Sequence, residues 1–398
     1  MINSAYVVPP EVRRFQQRSL IVGAIFLLIL AVGLFLDRTQ FFRSYLFAYA
    51  FWLGIAVGSL ALLMLQHMTG GGWGFVIRRP LEAATRTLPL MLILFVPVII
   101  GAHHLYPWTH REVLEESPAL LEKARLYLNL PWFTVRAAIY FGIWLLLAFF
   151  LNRWSLEQDL HAAPLLTKRM RLLSGPGMVL FVFTVTFASI DWFMSLSPEW
   201  FSTIYGFIFV AAWGLSALAF AIAVLAALSK HEPMKNVAGH FHFHDLGKLL
   251  LALVMLWAYF AFSQFLIIWS GNLPEEISWY LPRINGVWGG IALAVVILHF
   301  AFPFLFLLSR SLKRDPHKLV MVAGLILVMR IVDLFWMIAP NFYEHFHVSL
   351  LDIVAPIAIG GLWLSAFSWQ LSKRALIPIN DPQLETVLEQ ARATHEHI

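Results

Sequence analysis

The chain has 398 residues, of which 60% are hydrophobic and 13% are charged, and its mean hydropathy is +0.74. Soluble proteins carry about 25% charged residues, so this composition excludes a soluble globular protein and indicates a polytopic membrane protein. No cysteine is present, which excludes disulfides, cysteine-ligated iron–sulfur clusters and c-type haem attachment within the chain. The net charge of +5 in such a protein reports membrane topology rather than nucleic-acid binding.

The first apolar stretch follows Arg13, Arg14 and Arg18, as in a signal peptide. It is too long for one, and no small-residue cleavage site follows it, so we interpret it as a retained first span. Apolar stretches long enough to cross a bilayer then recur along the chain, each with about 20 residues. The ten predicted spans cover residues 19–36, 44–65, 87–108, 131–151, 177–196, 202–228, 246–270, 286–308, 319–338 and 350–371.

Small residues and prolines mark special points in the first three spans. Gly54 and Gly58 in the second span have the spacing that lets a neighbouring backbone come close. In the linker after it, the pattern predicts a short interfacial helix that starts at Pro80 and carries Glu82 in its first turn. Pro97 in the third span removes a backbone hydrogen bond, which predicts a kink before the pair His103 and His104.

The basic residues predict the orientation. Of the 28 lysines and arginines, 20 fall on the side that carries both termini and six on the other side, while Arg136 and Arg330 lie within spans. Cytoplasmic loops carry the excess of basic residues, so both termini are predicted to be cytoplasmic and the number of spans to be even. The tail after Arg374 is predicted to form a short solvated helix, and no linker is long enough for a second domain.

The seventh span carries polar residues in its middle. Tyr259 and Ser263 are four residues apart on one face, with Gln264 beside them, so this stripe is predicted to face protein, water or a ligand. Asp245 at the start of the span is predicted to cap the helix or to admit protons. The alternating histidines before it, His240, His242 and His244, fit a solvated loop better than a metal site.

Ionisable residues inside other spans are costly and are therefore candidates for a functional site. Arg330 and Asp333 lie three apart on the ninth span, which allows two interpretations: an internal ion pair, or one end of a proton-conducting line. The line would include Asp333, Arg330, His299, Tyr259, Ser263, Gln264 and Asp245.

A second group lies near the outer membrane surface, on the side away from the termini. It belongs to the third to fifth spans and consists of His103, His104, Arg136 and Asp191. A histidine with a carboxylate suits quinol oxidation, because the two bond the ring oxygens and accept the released protons. The alternative places these residues at the headgroup level, with Arg136 reaching towards water. His103 or His104 paired with His299 would suit haem b, but their different depths argue against one shared iron, and we predict no metal site.

Several stretches together carry a family resemblance, and they are LQHMTGGGWGFVIRRPLEAATRTLPLM, FASIDWFMSL, HFHDLGK, WAYFAFSQFLIIWSGNLPEEISWY and MRIVDLFW. They resemble the ActF-type membrane subunits of alternative complex III, a bacterial quinol:electron-acceptor oxidoreductase. Those subunits are in turn similar to the polysulfide-reductase membrane anchors of the NrfD type. The resemblance covers nearly the whole chain.

The resemblance implies an all-α polytopic membrane protein in which spans 2–5 and 6–9 form two four-helix bundles flanked by spans 1 and 10. Within this single integral membrane domain, residues 1–43 hold span 1, 44–201 the first bundle, 202–349 the second bundle, and 350–398 span 10 and the tail. It places the chain in the bacterial inner membrane. It also makes the group of His103, His104, Arg136 and Asp191 a vestigial or occluded quinol site.

The resemblance further implies a cofactor-free subunit of a quinol:cytochrome c (or other acceptor) oxidoreductase, one that supports assembly or conducts protons. The implied partners are a sister NrfD-like subunit together with iron–sulfur and multihaem cytochrome c subunits, which hold the iron–sulfur clusters and haem c. Menaquinol or ubiquinol would be the quinol, and lipid surrounds the complex. Two alternatives stay open: a secondary transporter, which ten spans and intramembrane charges would suit, and a purely structural anchor.

Overall fold

A computed structural model describes residues 8–343 and 345–395, without the side chains of residues 116 and 390–395. Within these residues the secondary structure is helical, and ten helices are long and apolar enough to cross a membrane. The chain is therefore an all-α multi-pass membrane protein, as predicted. The first seven residues of the predicted N-terminal segment, Glu344 of the second bundle and the last three residues of the tail lie outside the described part.

The ten spans are α1 (Pro10–Leu36), α2 (Arg38–Thr69), α3 (Gly72–Ile100), α4 (Leu130–Leu160), α5 (Pro164–Leu196), α6 (Tyr205–Leu228), α7 (His240–Gly271), α8 (Gly286–Leu308), α9 (Pro316–Asn341) and α10 (Leu350–Leu371). A tail helix, α11, covers Leu384–His395. Short helices connect the spans at Ala102–Leu105, Arg111–Glu116, Pro118–Leu126, Pro274–Ile277, Leu281–Ile284 and Arg310–Arg314. We call the end at which α1 begins and α10 ends the basic end, and the other the opposite end.

Helices α2 and α6 form the centre of the molecule and contact each other along their length. Gly54 of α2 lies against the indole of Trp213 on α6, and a Cβ at Gly58 would be 2.0 Å from the Trp213 carbonyl oxygen. The predicted close packing at these two glycines is confirmed, because only a glycine leaves room for the neighbouring helix here.

The remaining spans pack around this pair. Helices α3 and α5 contact α2, and α4 contacts both α3 and α5; on the other side, α7 and α9 contact α6, and α8 contacts α7 and α9. Helix α10 packs on α2, and α1 packs on α10. We call α2–α5 the first bundle and α6–α9 the second bundle; the α2–α6 and α5–α6 contacts join them, and α1 and α10 lie at the flank.

Two stretches that were predicted as linkers are helical. Gly70 and Gly71, with φ of 68° and 96°, end α2, and α3 then begins at Gly72 and runs through Pro80. The predicted interfacial helix starting at Pro80 is therefore wrong, and Glu82 lies inside α3. The predicted kink is present, since α3 is interrupted at Leu94–Phe95, two residues before Pro97.

The predicted histidine loop before the seventh span is also wrong. Helix α7 begins at His240, and His242 is buried within its first turn. Asp245 lies in the second turn, where it cannot cap the helix; Gly239 occupies the cap position. The tail does form a helix, but it is not fully solvated, because α11 contacts α3 and α7 and buries Val387.

Candidate functional site

A cavity of about 780 Å³ lies in the second bundle, between α6, α7, α8 and α9. Several of its lining side chains are also exposed on the outer surface of α7 and α8, among them Phe262 and Leu293. The cavity therefore opens sideways between these two spans, towards the bilayer. Its walls are mainly apolar, and Gln264, Tyr280 and Asp333 contribute polar groups. We call it the second-bundle cavity.

One wall of the cavity is an irregular part of α8. Residues Val295–Ala301 form a π-helical segment, closed by a hydrogen bond from the Phe302 N–H to the Ile297 carbonyl. Pro303 favours this geometry, because it has no N–H for the carbonyl of His299 four residues before it. Single π-helical turns inside α-helices occur frequently at functional sites.

The π-helical segment carries His299 into the protein interior. Its side chain is fully buried, and its ring meets the edge of the Trp257 indole with a centroid distance of 4.4 Å. Neither ring nitrogen has a hydrogen-bond partner among the described residues. Buried polar groups are nearly always satisfied, so a histidine with two unpaired nitrogens at membrane depth is a candidate functional residue.

The predicted pairing on the ninth span is confirmed. Arg330 donates to the carboxylate of Asp333, and both side chains are almost fully buried. The Arg330 guanidinium lies 5.6 Å from the centroid of the Phe209 ring, and two of its nitrogens have no partner among the described residues. Asp333 lines the second-bundle cavity. Its carboxylate thus stands between one arginine and an apolar space open to the bilayer.

Gln264 also lines this cavity. Its side-chain oxygen accepts a hydrogen bond from Ser202 (2.8 Å), and its amide group donates to the hydroxyl of Tyr280 (3.1 Å). Burial raises the pKa of Tyr280 to about 12, so this hydroxyl stays protonated. The structure therefore brings Asp333 and Gln264 to one cavity.

Three other predicted proton-path residues lie at the mouth of the cavity or away from it. Tyr259 lines the mouth of the cavity and is 65% exposed, so the described part of the chain does not cover it, and the prediction that its stripe faces protein, water or a ligand stays a prediction. Ser263 is half-buried. Asp245 lies at the basic end, 3.1 Å from Lys248, and the helix between it and Trp257 carries only apolar side chains after Lys248. No polar side chain on α7 therefore links Asp245 to the cavity.

The first bundle holds a comparable carboxylate in a different setting. Asp191 on α5 accepts two hydrogen bonds from Arg136 on α4, at 2.8 and 2.9 Å, and a third from Tyr140 (2.7 Å). Arg136 also donates to the Tyr127 carbonyl (2.9 Å) and lies over its ring. In the interior of the same bundle aromatic rings contact one another, and they are Phe95, Phe133, Phe141, Trp144 and Trp192, the last adjacent to Asp191 in the chain.

His103 and His104 belong to the connection after α3 rather than to a span. His103 is exposed and stacks on His110, with ring centroids 4.1 Å apart. His104 bonds Thr39 (3.1 Å) and stacks on Phe42, and partial burial together with neighbouring positive groups lowers its pKa. The predicted group of four therefore separates: Arg136 and Asp191 are paired, whereas both histidines contact the start of α2 and their own connection.

The two aspartates occupy matching places in the two bundles. The stretches are DWFMSLSPEWF from Asp191 and DLFWMIAPNFY from Asp333, each with an aromatic residue at the third position and proline at the eighth. Both begin near the end of the last span of a bundle. The sequence carries this repeat, which would have singled out the pair of aspartates.

Sequence reasoning missed a cluster of buried charges at the basic end. Glu82 of α3 is fully buried and contacts three arginines, namely Arg78, Arg79 and Arg374. Arg79 also pairs with Asp159, and Arg78 with Asp381 of the tail. The sequence signal for this cluster was the R-R-x-x-E pattern of Arg78, Arg79 and Glu82, whose spacing brings these residues together on a helix.

No model of a known family matches this sequence, and a search among curated proteins finds no match either.

Proposed function

We propose that this chain is a membrane subunit of a bacterial quinol:acceptor oxidoreductase of the alternative complex III type, and that its second bundle moves protons. Iron–sulfur clusters and haem c would belong to partner subunits, among them multihaem cytochromes and a sister NrfD-like chain. The proposal also places both termini in the cytoplasm. It is supported by the sequence resemblance and by the excess of basic residues on the side of the termini.

One observation carries the proton role: Asp333, which is buried and paired with Arg330, lines a cavity open to the bilayer. A carboxylate is a proton donor and acceptor, and a buried one is expensive to keep in a span unless it has a function. The free nitrogens of Arg330 and His299 leave hydrogen-bonding capacity in the interior. Such groups ordinarily bond ordered water, and side chains joined by water form a path for protons.

The same observation distinguishes the two bundles. Asp191 has three donors and is enclosed by rings, so it is suited to holding α4 and α5 together. Asp333 has one arginine and an open space beside it. We therefore assign the occluded site to Arg136 and Asp191 of the first bundle, and we expect proton chemistry in the second bundle.

Replacing Asp333 tests the proton role. In the complex reconstituted into vesicles, we expect Asp333→Asn to leave assembly intact, since asparagine is isosteric and still accepts from Arg330. Proton translocation per quinol oxidised should fall on the order of tenfold or more, because the amide cannot take up a proton. The measurement is the pH change inside the vesicles during quinol oxidation.

Glu275→Gln is the matched control, because it neutralises an exposed carboxylate outside the spans. It should translocate protons like the unmodified complex. Coupled activity that is unchanged in Asp333→Asn would refute the proton path and favour a structural anchor. If the variant fails to assemble, Asp333→Glu, which keeps the titrating group, should restore both assembly and translocation.

Purification in mild detergent tests the wider assignment. We expect iron–sulfur and multihaem cytochrome subunits to accompany the chain, with quinol oxidation activity and with iron and haem in the preparation. Mass spectrometry of the partners and an iron and haem assay provide the measurement. A chain that purifies alone, without redox partners, would contradict the assignment and favour a secondary transporter.

A further inference from the structure

A second cavity, of about 290 Å³, lies at the basic end between the first turns of α1 and the last turn of α10. Its six lining residues are Arg13, Gln16, Gln17, Trp369, Ser372 and Lys373. It belongs to neither bundle and lies on the outer flank of the molecule, where α1 contacts little apart from α10 and α2. We call it the flank cavity.

The cavity follows from the way the two helices cross. Gly23 of α1 and Gly361 of α10 touch directly, since a Cβ on Gly361 would lie 2.4 Å from the Gly23 Cα. From this contact to Gln16 the α1 helix runs seven residues, or about 10 Å, towards the basic end. The two helices are in backbone contact at the glycines and are separated by a cavity one and a half to two turns beyond them.

The charges that line the cavity have one sign. Arg13 and Lys373 are cationic, the two glutamines and Ser372 are neutral donors or acceptors, and none of the six residues is acidic. Guanidinium and ammonium groups that line one cavity without an acidic residue among its walls suit a phosphate, which accepts several hydrogen bonds. We propose that the flank cavity binds the headgroup phosphate of an anionic phospholipid.

The surroundings of the cavity favour a lipid over free phosphate. Trp369 is 46% exposed, and the Lys373 ammonium lies 4.9 Å from the centroid of its ring. Tryptophan is enriched at membrane–water interfaces, which is where this end of α10 is expected to lie. Below the cavity α1 presents apolar side chains to the outside, with Leu20 48% and Ile21 59% exposed. A phosphate seated between Arg13 and Lys373 thus has an apolar surface next to it for acyl chains. Basic pockets at the ends of spans bind such headgroups.

Native mass spectrometry of the purified full-length chain tests this inference independently of the proposed function, because it needs neither partners nor quinol. The probes are dioctanoyl phosphatidylglycerol, dioctanoyl phosphatidylcholine and inorganic phosphate. We expect phosphatidylglycerol to bind with preference over phosphatidylcholine. The double substitution Arg13→Gln with Lys373→Gln should weaken this binding on the order of tenfold.

The matched control is Arg14→Gln with Arg18→Gln. It also removes two positive charges, both of them from α1 at positions outside the cavity. It should bind phosphatidylglycerol like the unmodified chain, and Arg13→Lys with Lys373→Arg should retain most of the affinity. Equal losses in the two neutralised variants would overturn the site, as they would show unspecific attraction. Equal binding of the two lipids would overturn it too, and displacement of the lipid by millimolar inorganic phosphate would identify a free-anion site instead.

Discussion

Asp191 and Asp333 lie at matching places of the two bundles but have different hydrogen-bond partners. Asp191 lies within 3 Å of two nitrogens of Arg136 and of the Tyr140 hydroxyl, so its negative charge is fully compensated. Asp333 has only the Arg330 guanidinium among the described donors, and the cavity is on its other side. The number of donors around each carboxylate is the basis on which we propose a structural role for Asp191 and proton exchange for Asp333.

This difference predicts that the same substitution reduces proton translocation at Asp333 but not at Asp191, where it affects stability alone. Asp191→Asn removes the charge that Arg136 and Tyr140 bind and leaves a half-buried arginine without its partner. Breaking a buried ion pair costs roughly 3–5 kcal/mol, and we expect the lower end, about 3 kcal/mol, because the Arg136 side chain is 14% exposed. Thermal unfolding of the purified chain in detergent measures it.

Asp333→Asn serves as the comparison in that experiment. Its loss of stability should be at least as large, since Arg330 is 1% exposed and Asp333 is its one hydrogen-bonding partner among the described residues. The two variants are therefore distinguished by proton translocation, which should fall only in Asp333→Asn. The structural assignment of Asp191 would be refuted if Asp191→Asn unfolded at the same temperature as the unmodified chain, or if it abolished proton translocation while leaving stability unchanged.

At the scale of elements, the segment after α10 closes the basic end. Arg374 donates to the carboxylate of Glu82 (3.1 Å) and to the Asn152 carbonyl (2.9 Å), and the amide N–H of Ile379 donates to Asp159 (3.3 Å). Ala375, Leu376 and Ile377 are buried. The segment thus joins α3 and α4 through one network centred on Glu82.

Glu82→Gln should release this segment. The substitution leaves Arg78, Arg79 and Arg374 around a neutral amide, and three guanidinium groups repel one another in a buried place. We expect trypsin to cleave after Arg374 at least about tenfold faster than in the unmodified chain, as judged by the loss of the tail in mass spectra. Glu385→Gln, which alters an exposed carboxylate of α11, should leave the cleavage rate unchanged.

Hydropathy predicted the number and order of the elements well, because a span needs about 20 apolar residues whatever its neighbours are. It failed where polar residues continue a helix beyond the apolar stretch, as at the start of α7 and in the first part of α3. Pro80 misled the prediction for a physical reason: a proline is common at a helix start, and tertiary contacts around Arg78, Arg79 and Glu82 hold it inside a helix instead.

The candidate site was predictable in part. The pair of Arg330 and Asp333 follows from spacing on one helix, since residues three apart are neighbours. The cavity does not follow, because its walls come from four spans whose mutual orientation the sequence pattern leaves open. The same limit explains Tyr259: a stripe at helical spacing gives the face but not what covers that face.

At the scale of the whole molecule, the two bundles meet along α2 and α6, and this contact depends on glycines. Gly58 lies so close to the Trp213 backbone that an added Cβ would be 2.0 Å from the carbonyl oxygen and 2.5 Å from the carbonyl carbon. Backbone atoms cannot rotate away as a side chain can. Any side chain at this position must therefore push α6 away from α2 over the whole contact.

Gly58→Ala is accordingly expected to destabilise the chain strongly, by an amount typical of overpacking, about 1–3 kcal/mol or more. Gly142→Ala is the matched control, because it makes the same change inside α4 where nothing lies within 4 Å of the new Cβ. That control should stabilise by roughly 0.5–1 kcal/mol, since alanine favours a helix more than glycine does. Thermal unfolding of both variants in one detergent gives the comparison. A Gly58→Ala variant as stable as Gly142→Ala would show that the bundles are not joined along α2 and α6 as described.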